Sequence, residues 1–170
     1  MELQRYIGRE LSGLKMAMER VLDSLTQHEI VWRPASGCNS IGIMLFHVAR
    51  SEDSMIQGII KGEAEIWKSE KWHEKLNLSI EEQGSHYTAE QVNAFQVPKL
   101  SDIMAYYEAV RSRTKECLRV LKIEDFDKEV TFPNYGNLPT ASIFSVIITH
   151  TAEHIGEMSY LRGLQRGMDK

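Results

Sequence analysis

The sequence is poor in cysteine, lacks an excess of basic residues and contains no long apolar run. Its two cysteines, Cys38 and Cys117, are too few for a disulfide scaffold and stand in no CxxC spacing, so we expect two reduced thiols. No apolar run approaches the roughly 20 residues needed to span a bilayer, and the N-terminus shows no apolar signal core. These absences predict a soluble protein with no membrane segment and a cytoplasmic location.

The charge balance limits the partners that the protein can bind. Lys and Arg total 20 against 24 for Asp and Glu, which gives a net charge of −4. The chain therefore has no excess of positive charge to attract phosphate groups. Nucleic acid is therefore not expected as a partner. Apolar residues make up 42% and charged residues 26%, proportions typical of a folded globular chain. Because no repeat, low-complexity tract or linker interrupts it, we expect residues 1–170 to form one domain.

Several catalytic signatures are also missing. The sequence has no glycine-rich phosphate loop and no GxSxG nucleophile motif. A ferritin-like di-iron site needs two inward ExxH motifs on bundle helices. The only ExxH motif here joins Glu70 to His73, in a segment without helical periodicity, so a di-iron site is rejected.

Four stretches repeat apolar residues at spacings of three and four, which predicts four amphipathic helices. We expect these helices at residues 3–25, 40–60, 100–121 and 140–164. Helix two is apolar almost all round in its first half, which is typical of a segment buried on several sides. Ser40 is the expected N-cap of helix two, and Ser101 that of helix three.

The remaining segments connect these helices. Residues 61–99 combine Trp67 and Trp72 with many charges and a short candidate helix at residues 88–95, which predicts a long crossover packed down by its tryptophans. Residues 125–139 contain turn chemistry that predicts a small hairpin. The predicted fold class is therefore all-α, a four-helix bundle with a long crossover between helices two and three. The sequence leaves open whether the crossover acts as a lid.

Three histidines are the candidate metal ligands. His150 and His154 stand four residues apart, so a helix places them one turn apart on the same face, and that face is the apolar one. His47 lies in the most apolar part of helix two. A buried imidazole needs a partner for each ring nitrogen, and a metal ion can be that partner. The three side chains could form a three-nitrogen face with an open position for water or substrate.

The spacing of the histidines also permits other interpretations. A buried histidine can be a hydrogen-bonded core residue, and a pair four apart also occurs on exposed helices, so spacing alone leaves both interpretations open. His28, His73 and His86 are expected at the surface. The stretch from His150 to His154 also fits the HxxEH signature of inverted zinc proteases. Those enzymes take their third ligand from well downstream, and too little chain follows here for that class to be favoured.

Two segments carry a family resemblance. The stretch NSIGIMLFHVARSED at residues 39–53, preceded by Trp-Arg-Pro at residues 32–34, resembles the second-helix segment of the DinB-like superfamily. The stretch HTAEHIGEM at residues 150–158 resembles the last-helix motif of that family. The order of four helices and the long crossover agree as well, so the resemblance covers nearly the whole chain.

The resemblance implies a metal site. Members of the superfamily are four-helix bundles in which three histidines bind a divalent ion, commonly zinc or nickel, and the matching positions here are His47, His150 and His154. Many members have glutamine after the motif glycine, whereas this chain has Glu157. A carboxylate at that position would change the surroundings of the ligands.

The superfamily includes thiol-dependent enzymes resembling bacillithiol transferases and the mycothiol-dependent isomerase. The leading hypothesis is therefore a metal-dependent transferase that activates a low-molecular-weight thiol. Arg50 and Arg162 are candidates to pair with a substrate carboxylate, and surface salt bridges are the alternative for both.

Two further hypotheses remain open from the sequence. In a metal-dependent hydrolase, Glu157 is the candidate catalytic base, because Glu153 projects about 100° away from His154 on an ideal helix. A metal-stabilised binding protein without turnover is the third hypothesis. Eight methionines offer adaptable apolar contacts, which leaves a homodimer open.

Overall fold

The computed structural model describes residues 3–167. Its elements in chain order are α1 (Leu3–Leu22), α2 (Gln27–Val31), α3 (Ile41–Asp53), a π-helix (Ser54–Ile60), α4 (Ile66–Ser69), α5 (Trp72–Lys75), α6 (Ala89–Ala94), α7 (Leu100–Val120), a 3-10 helix (Ile123–Asp127), β1 (Glu129–Phe132), β2 (Gly136–Pro139) and α8 (Thr140–Arg166). Among these described helices, none combines the length and apolarity needed to cross a membrane.

Four long helices form the bundle: α1, α3 with its π-helical continuation, α7, and α8. Helix α3 packs against both α7 and α8, and α1 packs against α8 and α7. Apolar stripes at helical spacing explain this arrangement, because a helix buries its apolar face by packing it against the apolar face of a neighbouring helix. The predicted all-α bundle with a long crossover between the second and third long helices is confirmed.

Capping residues explain several helix boundaries. The Ser40 side chain accepts a hydrogen bond from the Ile43 N–H, which confirms it as the N-cap of α3. The prediction for Ser101 is wrong, because α7 already begins at Leu100 and the Ser101 hydroxyl donates to Asp102 instead. Helix one ends at Leu22 rather than at residue 25.

A short helix that periodicity did not predict follows helix one. Thr26 and Glu29 form a capping box that starts α2, in which each side chain accepts a hydrogen bond from the backbone N–H of the other. Five residues are too few to show a helical repeat of apolar positions.

The crossover is packed onto the bundle. Trp67 is fully buried, as predicted, and its indole N–H donates to the Ile80 carbonyl at 3.0 Å. At the end of α3, the Asp53 carboxylate accepts hydrogen bonds from the backbone N–H groups of Ile66 and Trp67. These contacts fix the start of α4 against the bundle. The predicted helix at residues 88–95 is present as α6, with Thr88 as its N-cap.

The predicted hairpin is also present. Strands β1 and β2 pair antiparallel, with Phe132 opposite Gly136. The Tyr135 N–H donates to the Phe132 carbonyl at 3.1 Å, and Asn134 has a φ of 68°. Proline followed by asparagine at positive φ is the chemistry of a type II turn. The hairpin leads directly into α8 and stands beside the π-helix.

Candidate metal centre

The structure brings His47, His150 and His154 together between α3 and α8. Each offers one ring nitrogen, and these nitrogens all lie within 4.8 Å of one another. His150 and His154 share a face of α8 because they stand one turn apart. The packing of α3 against α8 adds His47 from 103 residues earlier in the chain. All three side chains are half-buried.

The three imidazoles turn the same nitrogen inward. His150 Nε2 lies 2.8 Å from His47 Nε2 and 3.1 Å from His154 Nε2. The ring centroids are 4.5 to 4.8 Å apart and meet edge to face. Three imidazole nitrogens of this kind, directed at one point, match the donor set of a transition-metal ion.

The outward nitrogens of two rings are held by acceptors. His47 Nδ1 donates to the Gly84 carbonyl at 2.8 Å, and His154 Nδ1 donates to the Glu157 carboxylate at 2.6 Å. A carbonyl and a carboxylate only accept, so the proton of each neutral ring sits on Nδ1. The inward Nε2 atoms of His47 and His154 therefore present lone pairs, and a single proton on His150 can satisfy only one of them at a time. A cation at the centre would satisfy all three nitrogens.

The surroundings of His47 and His150 favour their neutral forms. Burial, together with the positive charges that His47 and His154 would carry, lowers the pKa of His150 to about 4. Burial likewise lowers the pKa of His47, against the opposing effect of its hydrogen bond to Gly84. A neutral imidazole is the form that ligates a metal, so metal and proton would compete only in acid.

Gly84 is a site residue that sequence reasoning missed. It has a φ of +73°, and a Cβ built on it would lie 2.9 Å from Arg50 Cγ and 3.0 Å from Arg50 Cβ. Only glycine fits this backbone while its carbonyl reaches His47. Its position between polar residues of the crossover was the available signal, but that pattern indicates only a turn.

A cavity of about 230 Å³ lies beside the centre. His47 and His154 line it from the bundle, and residues 84–87 line it from the crossover. The crossover therefore forms one wall of the site.

The two arginines proposed for substrate binding have partners within the chain. Arg50 is 5% exposed, and its guanidinium binds the Glu65 carboxylate at 2.8 Å, the Glu82 carbonyl and the Tyr106 hydroxyl. Arg162 donates to the carbonyls of Val21 and Asp23 at the end of α1. Arg50 thus joins the crossover to α3, and Arg162 joins α8 to α1.

The remaining histidines and cysteines lie outside the cluster. His28 and His86 are exposed as expected, whereas His73 is half-buried with its ring 6.1 Å from that of Trp67. Cys38 and Cys117 are free thiols, and burial raises the pKa of Cys117.

The catalytic role of Glu157 stays a prediction, and its observed contact is with His154.

Comparison with known proteins agrees with the fold. A family model described as the DinB superfamily matches residues 10–158. A solved structure, described as the conserved protein of locus from Enterococcus faecalis, has a TM-score of 0.86 with this chain. The alignment covers 99% of both chains at 22% sequence identity, a level at which the likeness shows the fold alone. No curated protein matches the chain.

Proposed function

The chain belongs to the DinB superfamily, and from that premise we propose that His47, His150 and His154 hold one divalent metal ion with which the protein activates a low-molecular-weight thiol. The observation that carries this proposal is the orientation of the three rings. Their Nε2 atoms face one another at 2.8 and 3.1 Å, while acceptors hold the Nδ1 protons of His47 and His154 on the outside.

Each residue of the proposed site has a distinct role. The three imidazoles supply neutral ligands, and the Gly84 carbonyl and the Glu157 carboxylate fix the rings of His47 and His154. The chemistry that a divalent ion would supply there is a lower pKa for a ligated thiol, which would favour the nucleophilic thiolate near neutral pH. The 230 Å³ cavity, which His47 and His154 line, is the space that a small thiol would occupy beside the centre.

The position of Glu157 favours thiol transfer over hydrolysis. A hydrolase needs a general base within reach of the attacking water, and Glu157 was the candidate for that role. Its carboxylate is instead 2.6 Å from His154 Nδ1, on the far side of that ring from Nε2. Glu153 is exposed on another face of α8. A thiol brings its own nucleophilic atom and needs only to lose a proton.

The number of ligands favours an enzyme over a structural metal site. Structural zinc sites usually have four protein ligands, whereas catalytic sites keep one position open. Within residues 3–167, the group contains three histidines and no cysteine or carboxylate. Three imidazole nitrogens suit zinc or nickel, and we propose one of these as the ion.

The first test is metal content, measured by elemental mass spectrometry on protein purified without a polyhistidine tag. We expect about one ion per chain in the wild type and none in His150→Ala. His28→Ala is the matched control, because it removes an exposed histidine outside the cluster, and it should retain the ion. Circular dichroism of each variant separates loss of metal from loss of fold. Wild-type protein that takes up neither zinc nor nickel would overturn the proposal.

A second measurement tests the thiol. In cobalt-substituted protein, a thiolate that ligates the ion adds an intense sulfur-to-cobalt charge-transfer band, whereas water does not. We expect this band on adding cysteine or bacillithiol to the wild type and its absence in His150→Ala. A cobalt spectrum that no small thiol changes, together with hydrolysis of a test ester, would favour the hydrolase instead.

A further inference from the structure

Exposed cations gather at the end of the bundle where α1 begins and α7 ends. Two contacts fix how these helices meet. The side-chain amide of Gln4 donates to the Leu121 carbonyl at 3.0 Å, and a Cβ built on Gly8 would lie 3.8 Å from Leu118 Cδ2. Because the sequence numbers rise along one helix as they fall along the other, α1 and α7 are antiparallel. The first turns of α1 therefore lie beside the last turns of α7.

Four of the cations form two pairs, each spanning one helical turn. Arg5 and Arg9 stand four residues apart on α1, and all of their neighbours in this set are equally exposed: Lys115 and Arg119 stand four apart on α7. Arg5 and Lys115 each precede the contact just described by three residues, which turns each side chain about 60° from it on an ideal helix. Both are exposed, so both turn away from the core. The four cations therefore flank the outer side of the α1–α7 contact.

These cations lack acidic partners in the part of the chain that the structure describes. The ion pairs found there include none of the four side chains. Residues 3–12 of α1 and 112–120 of α7 contain one carboxylate each. Glu10 is half-buried, and Glu116 lies 2.8 Å from Arg113. The net charge of −4 thus conceals a local excess of positive charge.

Two aliphatic side chains protrude beside the cations. Val120, the last residue of α7, is 68% exposed, and Ile123, the first residue of the 3-10 helix, is 63% exposed. Lys122 stands between them and is exposed as well. The cavities of about 560, 230 and 390 Å³ are lined by other residues. We call this surface, formed by the four cations together with Val120, Lys122 and Ile123, the basic corner.

We propose that the basic corner docks the protein reversibly on an anionic lipid bilayer. Cations close to such a surface are attracted over about a Debye length, roughly 8 Å at physiological salt, and exposed aliphatic chains insert among the headgroups. The two aliphatic chains favour a bilayer over a nucleic acid, because a phosphate backbone offers them no apolar partner. Docking on a bilayer also needs no groove, whereas an amphipathic peptide helix requires one. The proposal does not depend on the metal centre.

Vesicle flotation measures this docking. The probe is a phosphatidylcholine vesicle with about 30% phosphatidylglycerol, and we expect binding at low salt that is lost in about 0.5 M NaCl. Arg9→Gln combined with Lys115→Gln should weaken binding about ten- to thirtyfold, since each cation contributes roughly fivefold. Lys68→Gln combined with Lys99→Gln is the matched control. It changes the net charge equally at two exposed lysines outside the basic corner, and it should bind like the wild type.

The apolar contribution is tested by Val120→Ser combined with Ile123→Ser, which should weaken vesicle binding about tenfold. Circular dichroism of each variant checks that the helices are retained. Absence of binding by the wild type, or equal weakening by the two cation double variants, would overturn the docking surface. Unchanged binding of the serine variant, or binding of duplex DNA as tight as that of the vesicles, would overturn the bilayer as the partner.

Discussion

The Nδ1 atom of His154 lies 2.6 Å from a carboxylate oxygen of Glu157, one turn further along α8. This contact fixes the ring and directs its other nitrogen toward His47 and His150. Carboxylates placed behind a metal-ligating histidine raise its basicity and hold its orientation. Glu157 thus has a positioning role in the proposed centre, and that role can be measured separately from catalysis.

Replacing Glu157 by alanine is expected to weaken metal binding by about ten- to a hundredfold, the usual cost of losing such a partner. The Kd for zinc can be measured by competition with a chromophoric chelator. Glu153→Ala is the control, because Glu153 is exposed and is not among the hydrogen-bond partners of the three histidines. Equal zinc affinities for the two variants would contradict the role given to Glu157.

Gly84→Ala is expected to destabilise the protein by about 2–4 kcal/mol, because the new Cβ combines left-handed strain with contacts near 3 Å to Arg50. Gly62→Ala separates these two causes. Gly62 also has a positive φ, of +66°, but a Cβ there meets nothing within 4 Å. Gly62→Ala should therefore lower the free energy of unfolding by only about 1–2 kcal/mol, the cost of the left-handed backbone for a residue with a Cβ. Urea unfolding of both variants measures the difference, and equal losses would show that the fit against Arg50 is unimportant.

The Glu52–Arg111 pair joins α3 to α7 in the core, with both side chains 1% exposed and 2.8 Å apart. Arg111→Met should lower the free energy of unfolding by about 3–5 kcal/mol, because it leaves a buried carboxylate without its cation. Adding Glu52→Leu should recover part of this loss by removing the second charge. Arg113→Met, which breaks an exposed pair with Glu70, should cost about 0–1 kcal/mol. A double variant less stable than Arg111→Met alone would contradict this account.

The contribution of His47 and His150 to the stability of the metal-free protein should fall in mild acid. Burial lowers the pKa of His150 to about 4 and lowers that of His47, so between about pH 6.5 and pH 4 the unfolded chain binds protons that the folded chain does not. This contribution is therefore fully present above pH 6.5 and is lost as the pH falls to about 4. Urea unfolding in the presence of a chelator should show a smaller loss for His150→Gln than for the wild type.

The comparison with the variant is needed because other buried groups also contribute to the dependence of stability on pH. Burial raises the pKa of Glu52 and of Asp53, which gives the opposite slope with pH. His28→Gln, which alters an exposed histidine, should follow the wild type. Identical pH profiles for the wild type and His150→Gln would show that His150 is not held neutral by its surroundings.

Much of the fold could be predicted from local patterns. The apolar stripes located the four long helices, and Ser40 marked the start of α3 because a serine before an apolar helix can bind its first free N–H groups. The π-helix was not predictable in this way. Over two turns, the spacing of apolar residues in an α-helix and in a π-helix differs too little to separate them. Ser101 was misassigned because a cap-forming residue also occurs inside the first turn.

The candidate site, like the fold, was only partly predictable from the sequence. The sequence by itself determined that His150 and His154 share one face of a helix, since that follows from a spacing of four residues. Only the tertiary structure brought His47 to 2.8 Å from His150 and set the Gly84 carbonyl behind it. The physical reason is that helical periodicity is set by neighbours in the chain, whereas these contacts depend on how helices, crossover and hairpin pack against one another.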